Sequence, residues 1–180
     1  MSVGVLVPLI VFFAMGVVVA LLIWRVMVVG GELRRGAQQD RAAADIARRA
    51  VTSLSELCAI VDDLRRGKSA PESGAPSLRA STDALRRYAQ EAEAIARKGP
   101  GHDAGASLVA EIERAQRAVA LIEHGRQMML DRAIDHIGEG ETSIKRGYLN
   151  LVHAKEAIRV RGDQLAREAS GDAAGAARRS

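Results

Sequence analysis

The side chains most able to do chemistry in this 180-residue chain are four histidines and a pair of carboxylates. Helical zinc sites take two histidines four residues apart, or a Glu-x-x-His motif repeated on facing helices. Neither pattern occurs, since His124 and His136 are twelve residues apart and about a third of a turn out of phase. Asp131 and Asp135 share one helix face, which is typical of a solvated surface. The sequence therefore predicts no metal site and no cofactor. The histidines are His102, His124, His136 and His153.

Residues 142–151 resemble the segment that follows the phosphoacceptor histidine in the dimerisation helices of sensor histidine kinases. The chain departs from that family around the reacting residue. Ile137 follows His136 where the family has an acidic residue, and Gly138 and Gly140 occupy the interval that holds its proline. The resemblance therefore predicts no phosphotransfer.

Other ligand-binding patterns are also missing from the sequence. The glycine-rich stretches 99–101 and 138–140 lack the Lys-Ser/Thr pair of a phosphate-binding loop. The net charge is +4, and no block of the chain is a polybasic patch or interleaves basic residues with aromatics, as nucleic-acid binding requires. Cys58 falls within a helical apolar pattern, which predicts a buried thiol. We expect no enzymatic activity, no nucleic-acid partner and no small-molecule substrate.

The first 31 residues predict a membrane anchor. Val3 to Trp24 is 22 residues without a charge, and a helix needs roughly 20 to cross the hydrocarbon core. Trp24 and Arg25 then mark a membrane interface, because an indole suits the headgroup region and a guanidinium extends towards water. The basic residues that follow place the N-terminus outside and the remaining chain in the cytoplasm. Export after signal cleavage is the alternative.

Residues 32–170 predict an all-α cytoplasmic domain, an elongated bundle of about four helices with heptad-like seams. An extended coiled coil completed by a second copy is the alternative architecture. Residues 171–180 are expected to be a disordered tail. The predicted helices cover residues 32–67, 78–98, 107–137 and 142–170, with a turn at Gly138–Gly140.

The apolar seam of the third predicted helix is interrupted at one point. Apolar residues recur on this helix in alternating steps of four and three residues, as at Leu108, Ile112 and Val119. The same spacing places Arg126 on the seam, beside Gly125. Such an interruption indicates a local bend, a change of neighbouring helix or a contact with a partner. Gly125 and Arg126 are therefore the candidate contact residues of the domain.

These features predict a single-pass membrane protein whose helical domain acts as an interaction or scaffold module. Its expected partners are the lipid bilayer and either another protein or a second copy of the chain. A signalling or regulatory relay through the bundle is the main alternative. A further possibility is an enzyme or transport accessory that uses His136, Asp131 and Asp135.

Overall fold

The computed structural model describes the backbone of residues 3–97, 103–131 and 134–177, and the side chains of residues 15–25, 36–97, 105–131 and 136–171. The described chain is entirely helical apart from short connections, which confirms the all-α prediction. Its four long helices are α1 (Val3–Arg65), α2 (Ala75–Ala96), α3 (Asp103–Leu130) and α4 (Ile134–Ala177), and a short 3-10 helix (Pro71–Gly74) precedes α2.

Helix α1 is 63 residues long and runs through the Gly30–Gly31 pair without a break. At 1.5 Å per residue it extends about 95 Å, well beyond the other three helices. Among the residues that the structure describes, no helix has an apolar stretch long enough to cross a membrane. Of the predicted span Val3–Trp24, the described side chains are those of residues 15–24.

The four helices form an antiparallel up-down bundle in which each helix packs against its neighbours in sequence and α4 closes the ring against α1. Helices α1 and α3 also touch across the core, and α2 and α4 lie on the other diagonal. Short connections between consecutive helices produce this topology. The register is fixed by contacts between Arg49 and Glu91, Gly105 and Ala92, Gly147 and Ala118, and Gly162 and Ala47.

The predicted seams form the core of this bundle. On α1, every residue of the four-and-three seam is at most 5% exposed. The seams of the other helices are buried at most positions, whereas Tyr88 and Ile95 of α2, Met129 of α3 and Tyr148 of α4 are partly buried. Small side chains alternate with leucine, isoleucine and valine, so the helices approach closely with few aromatics. The α1 seam consists of Ala43, Ala47, Ala50, Leu54, Leu57, Val61 and Leu64.

The observed start and end of α4 differ from the sequence prediction. We expected a turn at Gly138–Gly140, but α4 already begins at Ile134 and both glycines lie inside it. That prediction was wrong because Gly140 permits close packing against α3, rather than ending a helix. At its other end α4 continues to Ala177, seven residues into the segment predicted to be a tail.

Helix α1, in contrast, ends where a glycine provides the required conformation. Gly67 has φ of +68°, the left-handed backbone that favours glycine after a helix. The amides of Gly67 and Lys68 donate to the carbonyls of Leu64 and Asp63 at 3.1 and 2.9 Å. The interval between the first two predicted helices, residues 68–77, contains the 3-10 helix and the first turn of α2.

Candidate functional site

The most unusual surface of the molecule is residues 15–24 of α1, called here the apolar segment. Its eight large apolar side chains are each between 46 and 66% exposed. A Cβ built on Gly16 has no neighbouring atom within 4 Å, so the helix stands apart from the bundle there. At about 100° per residue, these side chains cover every side of the helix. A helix that is apolar all round is typical of an apolar environment, rather than of one partner surface.

Trp24 and Arg25 lie at the end of the apolar segment, and both are exposed. After them, Gly36 is the first residue described as buried, eleven positions further along the same helix. This interval corresponds to about 16 Å of helix. The two predicted interface residues are therefore at the junction between the apolar segment and the connecting part of α1.

Arg126 is buried within the bundle, with 5% of its surface exposed. Its Nε and Nη2 donate to Oε2 and Oε1 of Glu123 at 2.8 and 2.6 Å, and its Nη1 donates to the Pro71 carbonyl at 3.3 Å. Hydrogen bonding from Arg126 lowers the pKa of Glu123 despite the opposing effect of burial. The arginine thus ties α3 to the connection between α1 and α2.

Gly125, the other candidate contact residue, lies at a close crossing of α3 and α4. A Cβ on Gly125 would lie 2.6 Å from the Gly140 carbonyl oxygen, and a Cβ on Gly140 would lie 2.7 Å from that of Gly125. Only glycines allow this separation of the two backbones. The seam interruption is therefore a point of tight internal packing beside a buried ion pair. Contact between a partner and these two residues remains a prediction.

The histidines and carboxylates considered for chemistry are not assembled into one site. His124, His136, His153 and Asp131 are exposed, while His102 and the side chain of Asp135 lie outside the described residues. No group of three potential metal ligands occurs in the part of the chain that the structure describes. Cys58 is buried, as predicted, and burial raises the pKa of its thiol while the charge of Lys155 acts in the opposite direction.

Two arginines of α1 stack over the tyrosine rings of the bundle in cation–π contacts that the sequence did not predict. The guanidinium carbon of Arg49 lies 5.4 Å from the Tyr88 ring centre, and that of Arg65 lies 5.2 Å from the Tyr148 ring centre. Arg49 also pairs with Glu91 at 2.6 Å. Both tyrosines lie on predicted seams, but their partners come from another helix, so only the register of the folded bundle identifies them.

A shallow groove between α1 and α4 has an apolar floor that includes Ala47, Val51 and Gly162. Its volume is about 150 Å³, below the several hundred Å³ typical of a small-molecule site. At its rim, Arg159 is paired with Glu156 and Asp163 at 2.6 and 3.0 Å. The charge of Arg159 at the rim is thus already balanced within α4.

Comparison with known proteins finds no matching family model, no matching curated protein and no matching solved structure. The function is therefore inferred from the residues and geometry of this chain.

Proposed function

We propose that this chain is a single-pass membrane protein without enzymatic activity, whose helical bundle is a cytoplasmic interaction or scaffold module. The observation that carries the proposal is the apolar segment, a helical extension of the bundle that exposes large apolar side chains on all sides. A helix that is apolar all round is typically buried in a membrane or in the core of a large protein, and a bilayer surrounds such a helix completely.

The cost of leaving this segment in water supports the membrane environment. Fully burying an aliphatic side chain is worth about 1.5–3 kcal/mol, so each half-exposed side chain of the segment forgoes about 1 kcal/mol. The eight residues together favour an apolar environment by several kcal/mol. The apolar segment is shorter than a membrane span, but the uncharged sequence Val3 to Trp24 supplies the roughly 20 residues required.

The orientation is proposed from the arginines that follow the segment. Arg25, Arg34, Arg35 and Arg41 lie on its C-terminal side, and the residues before it carry no basic side chain. Basic residues are enriched on the cytoplasmic side of membrane helices. The bundle is thus proposed to be cytoplasmic and the N-terminus outside.

An interaction role is proposed from the surface of the bundle. Among the described residues of the bundle, the large exposed apolar side chains are the isolated Ile137, Leu149 and Val160, and many charges are paired within single helices. Singly exposed apolar residues are ordinary on a protein surface and identify no partner, so the interaction role is proposed because the chemistry-bearing side chains of the described residues do not come together in one site.

Membrane integration can be tested by alkaline extraction of membranes that contain the full chain. We expect the unaltered chain to remain in the pellet. Met15→Asp with Val18→Asp should release it, since an aspartate near the centre of a membrane helix costs about 3 kcal/mol. Ala42→Asp with Ala59→Asp is the matched control on exposed positions of the same helix, and it should stay in the pellet. Release of the unaltered chain would contradict the proposal.

Self-association can be tested by light scattering of the full chain in detergent micelles, after subtraction of the detergent mass. A dimer or larger species is expected if the bundle binds a second copy. A protein mass equal to one chain at every concentration would exclude the self-associating form of the proposal.

The continuity of α1 favours a signalling relay as the second candidate. A single helix joins the apolar segment to the seam of the bundle, so a movement in the membrane would reach the core without an intervening loop. Insertion of one to four alanines after Gly31 distinguishes the two functions. A relay predicts that self-association changes with the helical period of the insert, whereas a tether predicts the same association at every length.

A further inference from the structure

We draw no further inference here: the strongest candidate, the apolar groove between α1 and α4 with Ala47, Val51 and Gly162 in its floor, carries nothing because no feature of the part of the chain that the structure describes shows what covers it.

Discussion

The close crossing of α3 and α4 makes a sharp prediction about two glycines of α4. A Cβ on Gly140 would lie 2.7 Å from the Gly125 carbonyl oxygen, although ordinary contacts begin near 3.4 Å. The helices would have to separate by roughly 1 Å, and overpacking of this kind costs about 1–3 kcal/mol. Gly138, only two residues away in the same helix, has open space around it. Gly138→Ala should therefore raise the free energy of unfolding by roughly 1 kcal/mol, because alanine has a higher helix propensity than glycine.

We expect Gly140→Ala to be less stable than Gly138→Ala by about 1–3 kcal/mol in the free energy of unfolding, because both gain the helix propensity of alanine and only Gly140→Ala also overpacks the crossing. Thermal unfolding of the full chain in detergent, followed by circular dichroism at 222 nm, should separate their midpoints by about 3–9 °C. Both substitutions add one methyl group to one helix, so the comparison isolates packing from propensity. Equal stabilisation by the two alanines would refute the described approach of α3 and α4.

Three further predictions concern buried groups of the bundle. Glu123→Gln should destabilise the fold by about 3 kcal/mol because it leaves the Arg126 guanidinium buried without the carboxylate that pairs with it, whereas Glu123→Gln combined with Arg126→Met removes both charges and should stay within about 1 kcal/mol of the unaltered chain; denaturant unfolding that gives the opposite order would contradict the ion pair. The lowered pKa of Glu123 means that its contribution to stability is present above the pKa of an unfolded glutamate, about 4.3, and is lost as the pH falls through the lower folded value. Stability measured from pH 6 to pH 3 should thus fall less steeply in Glu123→Gln, and identical slopes would argue against this coupling. Cys58 should react slowly with a maleimide because its thiol is buried and its pKa is raised, while a cysteine at Gly138 should react quickly; equal rates would show that the core is open.

The apolar periodicity of the sequence predicted the core well. The seam positions of α1 and α3 are buried almost without exception, because a sustained four-and-three spacing leaves a helix one apolar stripe to cover. Arg126 was recognised as an anomaly on the seam of α3. Its pairing with Glu123, three residues earlier, is a spacing that the sequence already offered.

The glycines could not be interpreted from local sequence. A glycine lowers helix propensity, so the Gly30–Gly31 pair left the continuity of α1 open, and Gly138–Gly140 was expected to form a turn. In the fold, α1 passes through the first pair, and Gly140 is needed where α4 approaches α3. That requirement comes from a neighbour fifteen residues away, Gly125, and exists only in the folded register. The sequence also could not predict that the Pro71 carbonyl accepts the third hydrogen bond of Arg126.

We propose above that α1 crosses a membrane with the bundle on the cytoplasmic side. Single cysteines at Ser2 and at the exposed Gly138, each on a Cys58→Ala background, test it directly in cells that express the full chain. With a maleimide that does not cross membranes, we predict labelling at position 2 in intact cells and labelling at position 138 only after the membrane is permeabilised. Labelling at position 138 in intact cells, or protection of both positions until permeabilisation, would contradict the claim.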